Sequence, residues 1–348
     1  MGKKIFFLFS FLLLSLSSLY CLILICGFTL VPEVYAKTES KLLTANRSDL
    51  VNETKENPTS SASVSPTPET QVEKESEIPA AAEGTAKGKI IYRSIDSSAA
   101  NLKYQKIYIK NQTGLNINLK TELLNPPELK IVSTDAPQVL IVHTHTTECY
   151  MNEEKDHYTA SDLTRSTDNS KNMVAVGEVL KDALDKKGIM TVHAAEKHDF
   201  PEYTGSYGRA EQTIKKYLEK YPSIKVVVDL HRDSVTDPNG AKSALVTNIN
   251  GKKAAQVMLV SGCESGSVTD FPNWKENFRL AIKLQQAMEV MYPSFARPIL
   301  FTPRKYNQHL TKGSLLIECG TEANTLEQAK YSAELLGECL AATLNTLK

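Results

Sequence analysis

The sequence predicts an α/β domain with a mainly parallel central sheet flanked by helices on both faces, preceded by one N-terminal transmembrane helix and a disordered linker. Three observations predict this order: an uncharged apolar run near the N-terminus, a polar stretch without aromatic residues, and short apolar runs alternating with amphipathic helices after Pro137. Such alternation is typical of a parallel sheet that is covered on both faces. The length of 348 residues and the 41% hydrophobic content exclude a wholly disordered chain.

The first segment, residues 1–36, is predicted to be a membrane anchor. No residue in the range 5–30 is charged, and a helix needs roughly 20 such residues to cross a bilayer. Lys3 and Lys4 precede the run, so the positive-inside rule predicts a single-pass membrane protein with a cytoplasmic N-terminus and an extracytoplasmic remainder. Cleavage after Ala36 is the alternative, but the length of the apolar run favours a retained anchor.

Residues 37–87 are predicted to form a disordered tether. They contain no Phe, Tyr or Trp and are rich in Ser, Thr, Pro, Glu and Ala, so they cannot bury enough apolar surface to offset the entropy lost on ordering. The formal net charge of zero divides into +1 for residues 1–36, −3 for the tether and +2 for the remainder. A near-neutral folded part lacks the basic face that a nucleic-acid partner requires.

The folded part is predicted to consist of an N-terminal extension, residues 88–136, and a main domain, residues 137–348. In the extension, Ile107-Tyr108-Ile109 and the polar residues after it predict a strand and a turn. The extension is either an extra strand layer of the domain or a docking segment. In the main domain, helices are predicted from Met173 to Gly188, up to Tyr221, and up to Pro293. The strand candidates are residues 139–143, 190–193, 226–230, 257–260, 299–301 and 315–318.

Polar side chains follow three of these apolar runs, where ligands bind in parallel α/β sheets. Two imidazoles and one carboxylate are the commonest ligand set of a catalytic zinc, and a further carboxylate must then shuttle protons. We therefore predict His143, Glu148 and His231 as Zn²⁺ ligands and Glu318 as general base and later general acid. His145, two residues after His143 and on the same face if the strand continues, can replace it as ligand.

Four further residues are weaker candidates. Asp229 and Asp233 flank His231 at two-residue spacing, and they either orient its ring or are solvated loop acids. Arg209 either positions a substrate carboxylate or forms an ion pair on a helix surface, which is the commoner role. His198, together with the adjacent Asp199, follows the second strand candidate and is expected in the cleft.

Four segments carry a resemblance to a known family, and they lie between about residue 107 and the C-terminus. They are residues 139–150 (with His-Thr-His-Thr-Thr-Glu), 203–209, 228–233 (Val-Asp-Leu-His-Arg-Asp) and 315–324 (Leu-Leu-Ile-Glu-Cys-Gly-Thr-Glu-Ala-Asn). Together with the anchor and tether, they resemble the stage II sporulation protein P family. Its members are membrane-anchored cell-wall hydrolases of endospore-forming bacteria, related in fold to zinc-dependent N-acetylmuramoyl-L-alanine amidases. The resemblance places the catalytic glutamate of the family on Glu318 rather than Glu322.

The resemblance implies two cleavages of peptidoglycan, at the amide between N-acetylmuramic acid and L-Ala and at the peptide cross-links. It also implies Zn²⁺ as cofactor and two partners, the lytic transglycosylase stage II sporulation protein D and the membrane protein stage II sporulation protein M. The expected location is the sporulation septum and the engulfing membrane. The spacing from His143 to Glu148 is shorter than in ordinary amidases of this fold, so the choice between His143 and His145 stays open.

Cys149 and Cys319 each follow a predicted site glutamate, and they raise two alternatives. A disulfide between them is conceivable, although two reduced residues are the plainer interpretation. The second alternative is a thiol peptidase in which His231 or His145 activates Cys149. This alternative leaves both site glutamates without a role. A third hypothesis, a non-catalytic module that binds peptidoglycan, leaves the complete set of metal ligands unexplained.

Overall fold

The computed structural model describes residues 86–132 and 134–348. The predicted membrane anchor and all but the last two residues of the predicted tether lie outside these ranges. Within them, no helix combines the length and the apolar character needed to cross a bilayer. The transmembrane helix at residues 5–30 therefore stays a prediction.

The described part of the chain contains twelve strands and five helices. In chain order the strands are β1 (Ala86–Arg93), β2 (Leu102–Tyr104), β3 (Ile107–Asn111), β4 (Val139–Val142), β5 (His157–Thr159), β6 (Thr191–His193), β7 (Val226–Asp233), β8 (Lys242–Ile249), β9 (Lys252–Ala255), β10 (Val257–Gly262), β11 (Ile299–Thr302) and β12 (Ser314–Thr321). The helices are α1 (Leu119–Leu124), α2 (Met173–Lys186), α3 (Ser206–Lys220), α4 (Trp274–Met291) and α5 (Leu326–Asn345), and 3₁₀ turns span Ser97–Ala99 and Gln308–Leu310. The six strands and three helices predicted in the main domain are present, whereas α5, β5, β8 and β9 were not predicted.

Eight strands form the central sheet, in the order β2-β3-β11-β10-β12-β7-β4-β6. The strands β12, β7, β4 and β6 are parallel neighbours. By contrast, β10 is antiparallel to β12, and β2 is antiparallel to β3. The prediction of a mainly parallel sheet is therefore wrong, and the central sheet of this α/β fold is mixed.

The reversal between β10 and β12 follows from the connections. Parallel strands need a long crossover, usually a helix, and α4 supplies it between β10 and β11. Residues 303–313, between β11 and β12, contain only a 3₁₀ turn, so β12 returns in the opposite direction. An apolar run has the same appearance in either strand direction, which is why the sequence pattern did not reveal the reversal.

A second sheet has the order β5-β1-β8-β9. The antiparallel strands β8 and β9 are joined by Asn250 and Gly251, which both have positive φ, 51° and 78°, as a type I′ hairpin turn requires. One residue separates β9 from β10, so this hairpin connects the two sheets. Because β1 begins at Ala86, Ala86 and Lys87 belong to a strand rather than to the predicted tether. Residues 88–136 supply strands to both sheets.

Helices cover the central sheet around β4, whose four residues are all buried. Ile214 of α3 packs with Leu140 and Val142 of β4. Helix α5 contacts both α2 and α4. Where α5 meets α2, a Cβ on Gly337 would lie 2.5 Å from the Cβ of Ala183. The close approach of these two helices therefore depends on a glycine.

We predict that Gly337→Ala lowers the free energy of unfolding by about 1–3 kcal/mol, because the added methyl group overpacks the α2–α5 contact. The matched control is Gly208→Ala in α3, where a Cβ would meet no atom within 4 Å and the helix gains up to about 1 kcal/mol. Urea unfolding measures both changes. A Gly337→Ala protein as stable as the parent would contradict the predicted overpacking.

Candidate functional site

Three parallel strands bring the predicted site residues to one edge of the central sheet. Glu318 of β12 is paired with His231 of β7, and Asp229 of β7 is paired with Val142, the last residue of β4. The chain turns immediately after β4, and residues 143–148 of this turn carry the other predicted ligands. The edge therefore collects the side chains that were predicted for metal binding and proton transfer.

Buried carboxylates surround the ring of His231. Its Nδ1 lies 3.5 Å from Oε2 of Glu148, and its Nε2 lies 2.9 Å from Oδ1 of Asp229, although Nε2 makes no aligned hydrogen bond. The backbone N–H and the hydroxyl of Thr144 donate to Asp229 at 2.8 and 2.6 Å. Burial disfavours the charged ring, but Asp229 and Glu148 raise the pKa of His231 well above its ordinary value. Asp229 lies against the ring that it was predicted to orient.

His145 faces His231 across the site, with the two rings edge to face and their centroids 5.3 Å apart. Tyr203 stacks on His145 at a centroid distance of 4.6 Å, and its hydroxyl lies 3.1 Å from Nε2 of the ring. Nδ1 of His145 is buried and has no hydrogen-bond partner. Burial lowers the pKa of His145 to about 4. His145 is thus a neutral imidazole with one free nitrogen, which is the form that binds metal ions.

His143 is completely buried, and both of its ring nitrogens are engaged. Nδ1 lies 2.8 Å from the carbonyl oxygen of Leu230, and Nε2 lies 2.8 Å from Nε2 of His193. Nδ1 of His193 in turn lies 2.9 Å from a carboxylate oxygen of Glu178. Gly177 makes room for the two rings, because a Cβ there would lie 2.7 Å from His143 and 2.6 Å from His193. This geometry leaves His143 without a free nitrogen and favours His145 as the ligand.

The two glutamates of the site lie in opposite environments. Glu148 accepts a hydrogen bond from the backbone N–H of Arg232 at 3.2 Å. Burial disfavours its charge, but the cations of Arg232 and His231 hold the pKa of Glu148 well below its ordinary value. Oε2 of Glu318 is buried without a hydrogen-bond partner, and burial raises the pKa of this carboxyl to about 8. Glu148 is a fixed anion, whereas Glu318 changes its protonation state near neutral pH.

The turn that carries Glu148 is held by Asp199, which the sequence predicted only as the neighbour of His198 in the cleft. Asp199, whose side chain is fully buried, accepts hydrogen bonds from the backbone N–H and the hydroxyl of Thr147 at 3.1 and 2.6 Å. Arg165 donates to the same carboxylate at 2.6 Å. Because Thr147 precedes Glu148, this buried network fixes the direction of the Glu148 side chain.

Arg209 does not form the predicted ion pair with any residue that the structure describes. Its guanidinium donates to the carbonyl oxygens of His198, at 2.6 Å, and Thr204, at 3.1 Å, and also to that of Glu202. These three acceptors belong to the loop between β6 and α3. The guanidinium is therefore engaged by backbone rather than by a protein carboxylate, and a role towards a substrate carboxylate stays a prediction.

His198 and Asp233 also have partners within the protein. Nδ1 of His198 lies 2.7 Å from the carbonyl oxygen of His143, and its Nε2 lies 2.8 Å from the hydroxyl of Thr213. His198 thus supports the turn after β4 rather than facing the cleft. Asp233 accepts a hydrogen bond from Arg297 at 2.8 Å, so it forms an ion pair and does not contact the ring of His231.

Tyrosines line the site, and sequence reasoning did not assign them a role. Besides Tyr203, Tyr207 meets His145 edge on at 5.6 Å, and Tyr306 lies 5.8 Å from Tyr207. Tyr306 and Asn307 have positive φ, 47° and 55°, which is uncommon for a bulky side chain. Nδ2 of Asn307 donates to the carbonyl oxygen of Tyr207 at 2.8 Å. In the sequence, the only indication that these tyrosines belong to the site was that Tyr203 and Tyr207 fall in a segment that carries the family resemblance.

The cysteines beside the site are free thiols. Sγ of Cys149 donates to the carbonyl oxygen of Leu163 at 3.1 Å, and Sγ of Cys319 donates to that of Ala329 at 3.4 Å. The conceivable disulfide is therefore absent. Burial raises the pKa of Cys149 to about 11 and that of Cys319 to about 12, so neither thiol is a ready nucleophile.

The side chains of the site are of the types that bind zinc, although they do not form a closed ligand group in this structure. No group of three His, Cys, Asp or Glu side chains in residues 86–132 and 134–348 is already placed to hold a metal ion. However, Nδ1 of His145 and Oε2 of Glu318 are buried without hydrogen-bond partners, and Nδ1 of His231 faces Glu148 at 3.5 Å. Buried polar atoms without partners are rare in proteins, and the rings of His145 and His231 lie edge to face beside the anionic Glu148. Two imidazoles and a carboxylate are suitable ligands for Zn²⁺.

Fold and site together define a mixed α/β protein with a candidate metal centre at the carboxyl ends of parallel strands. The chain belongs to the Stage II sporulation protein P (SpoIIP) family, because the sequence model of that family matches residues 31–341. The family predicted from the four sequence segments is therefore confirmed.

Among individual proteins, stage II sporulation protein P of Bacillus subtilis (strain 168) is 30% identical to this chain over 220 residues. The match covers 60% of this chain and 51% of the relative, so the chain spans about half the length of the curated relative it matches. Among solved structures, the N-acetylmuramoyl-L-alanine amidase AmiC2 of Nostoc punctiforme aligns with 62% of this chain and 98% of its own, with 11% identity and a TM-score of 0.35. An N-acetylmuramoyl-L-alanine amidase from Clostridium difficile 630 aligns with 61% and 97%, with 15% identity and a TM-score of 0.35.

We predict that Asp199→Ala lowers the free energy of unfolding by about 2–4 kcal/mol, because it leaves Arg165 and the backbone N–H of Thr147 without their buried acceptor. Amide hydrogen exchange of residues 143–149 should accelerate as the turn loosens. The matched control is Asp168→Ala, since Asp168 pairs with Lys171 at the surface and its loss should change stability much less. Equal effects of the two substitutions would contradict a role for Asp199 in holding the turn.

Proposed function

We propose that this protein is a peptidoglycan hydrolase of sporulating cells that cleaves the amide between N-acetylmuramic acid and the L-Ala of the stem peptide. Membership of the Stage II sporulation protein P family supports the biological setting. The observation that carries the chemistry is that the buried, unpartnered Nδ1 of His145 and Oε2 of Glu318 lie on either side of His231 at one sheet edge: His145 faces the His231 ring, and Glu318 is its neighbour in the strand register.

In this proposal His145, Glu148 and His231 hold Zn²⁺, with His145 in place of the His143 first predicted. Zinc supplies a Lewis acid and lowers the pKa of a bound water to about 7. The protein prepares the donors for it: burial keeps His145 neutral, and Asp229 lies 2.9 Å from His231. The backbone N–H of Arg232 fixes the carboxylate of Glu148.

Glu318 acts as the proton shuttle. It is the neighbour of His231 in the register of β7 and β12, and Oε2 is not tied to another protein group. Glu318 takes a proton as the water oxygen attacks the amide carbon, and it returns that proton to the amide nitrogen as the C–N bond breaks. The products are the lactyl carboxylate of the sugar and the free amine of L-Ala. A buried carboxyl can serve in both directions because its charged and neutral forms are close in free energy.

The wider setting follows the resemblance to the family. We include in the proposal endopeptidase cleavage of cross-links and joint action with stage II sporulation proteins D and M. The N-terminal anchor would hold the hydrolase outside the cytoplasm at the sporulation septum and engulfing membrane. A thiol mechanism receives no support, because Cys149 is buried and donates to a backbone carbonyl.

We predict that the purified full-length protein releases stem peptides from isolated peptidoglycan, that chelation abolishes the release, and that Zn²⁺ restores it. Glu318→Gln should reduce kcat by about 10²–10⁴-fold while the protein still binds zinc. The control is Glu327→Gln in α5, whose side chain is 82% exposed, and it should keep full activity. Chromatography of the soluble products measures the rates.

Other outcomes separate the competing hypotheses. Sedimentation with peptidoglycan without any soluble product would indicate a binding module. Chelator-resistant release that is lost in Cys149→Ala would indicate a thiol peptidase. Full activity of Glu318→Gln would remove this residue from the reaction.

We predict that His145→Ala loses zinc, whereas His143→Ala keeps it, because the ring nitrogens of His143 are engaged by Leu230 and His193. His143→Ala should instead lower the free energy of unfolding by about 2–4 kcal/mol through the cavity and the broken hydrogen bonds. Metal content by mass spectrometry and urea unfolding measure the two effects. The reverse pattern, with zinc lost only in His143→Ala, would restore His143 as the ligand.

A further inference from the structure

Tyr203 covers His145, and the proposed reaction does not use it. The two rings are nearly parallel, 12° apart with centroids at 4.6 Å, and the phenol oxygen lies 3.1 Å from Nε2 of His145. Although it makes these contacts, Tyr203 is 48% exposed. A large aromatic side chain that is half exposed over a buried histidine needs an explanation beyond packing.

The ring nitrogens of His145 define what Tyr203 does. A neutral imidazole has one N–H and one nitrogen with a free lone pair. Nε2 has Tyr203 as its partner, whereas Nδ1 is buried and has none. If Nε2 carries the proton, it donates to the phenol oxygen and the lone pair of Nδ1 points into the site. Histidine ligands of metals commonly donate their second N–H to an oxygen acceptor, which fixes the tautomer and the ring orientation.

The position of Tyr203 is fixed from both sides. The guanidinium of Arg165 lies 4.7 Å from the centroid of its ring, and Arg165 is itself held by Asp199. Arg209 donates to three carbonyl oxygens of the same loop, two of which belong to the neighbours of Tyr203, Glu202 and Thr204. The loop ends at Gly205, whose φ of +85° allows the turn into α3. Arg209 therefore acts on the site through the loop backbone.

We propose that Tyr203 is a positioning residue. Its phenol oxygen accepts a hydrogen bond from the Nε2 proton of His145, so that the lone pair of Nδ1 points into the site. Arg209 holds the loop that places Tyr203. The proposed tautomer of His145 is independent of the proposed function. The binding of a divalent metal by Nδ1 rests on the proposed function. Tyr203 and Arg209 thereby explain the segment of residues 203–209 that the predicted ligand set left unexplained.

The first test is the tautomer of His145 in full-length protein labelled with ¹⁵N-histidine, observed by long-range ¹H–¹⁵N correlation without added metal. The parent should show the Nε2–H form, with Nδ1 unprotonated, and the His145→Gln spectrum assigns the signal. Tyr203→Phe keeps the stacked ring but removes the acceptor, so the two tautomers should interconvert and the signals should shift towards averaged values. An unchanged His145 signal in Tyr203→Phe would overturn the proposal.

The second test is affinity for Zn²⁺ alone, measured by competition with a chromophoric chelator. Tyr203→Phe should bind zinc about 10–100-fold more weakly, the range found when such outer partners are removed. Arg209→Lys keeps the charge but cannot reach three carbonyl oxygens, so its affinity should fall in the same direction by a smaller factor. If Tyr203→Phe binds zinc as tightly as the parent protein, Tyr203 has no role in metal binding. If Arg209→Lys binds zinc as tightly as the parent protein, Arg209 is removed from the proposal.

The matched control is Tyr207→Phe, because Tyr207 also contacts His145, edge on at 5.6 Å, but its hydroxyl does not bond to that ring. Its zinc affinity and its His145 signal should equal those of the parent, and equal losses in both tyrosine variants would overturn the specific role of Tyr203. If the parent itself binds no zinc, the proposed function fails, and the tautomer experiment alone still decides whether Tyr203 positions His145.

Discussion

The hydrogen bonds between Asp229 and Thr144 join the end of β4 to β7, and the arrangement of the site depends on them. The buried carboxylate accepts from both the backbone N–H and the hydroxyl of Thr144, so the turn after β4 begins in a fixed direction. The same carboxylate lies against the ring of His231. A buried carboxylate without such partners would be strongly unfavourable. Strand end, turn and imidazole must therefore adopt their positions together, and His145 and Glu148 follow from the turn.

The near-neutral charge of the folded part conceals strong local charge beside this site. Arg232 lies 3.6 Å from Glu322, which also pairs with Lys242, and Arg297 pairs with Asp233. Ion pairs that are buried contribute little net stability, because desolvation offsets their attraction, but each pair strongly disfavours any arrangement that separates it. The charges behind β7 and β12 therefore act mainly to fix the positions of the strand ends that carry His231 and Glu318.

The sequence predicted the strands β4, β7 and β12 and the polar residues at their ends, because a buried strand is a continuous apolar run and its end is marked by the first polar residues. It did not distinguish His143 from His145. The two-residue period holds only within a strand, and β4 ends at Val142, so the rings of His143 and His145 have different surroundings. The roles of Tyr203 and Asp199 were not predicted for a related reason, since a loop residue reaches the site through tertiary contacts that no local period encodes. The hairpin of β8 and β9 was missed because its apolar runs are short: Thr247 and Asn248 follow the apolar residues of β8, and β9 begins with two exposed lysines.

The contrast between Glu148 and Glu318 shows how one sheet edge supports two kinds of carboxylate. Glu148 lies in the turn, where the backbone N–H of Arg232 and the ring of His231 stabilise its charge. Glu318 lies within β12, where the backbone groups are taken by β7 and β10 and none is left to donate to the side chain. Burial then raises the pKa of Glu318 to about 8, because the nearby cations of His231 and Arg297 do not offset the lost hydration and the charges of Asp233 and Glu148. The secondary structure at each position thus determines which carboxylate stays anionic and which one can exchange a proton.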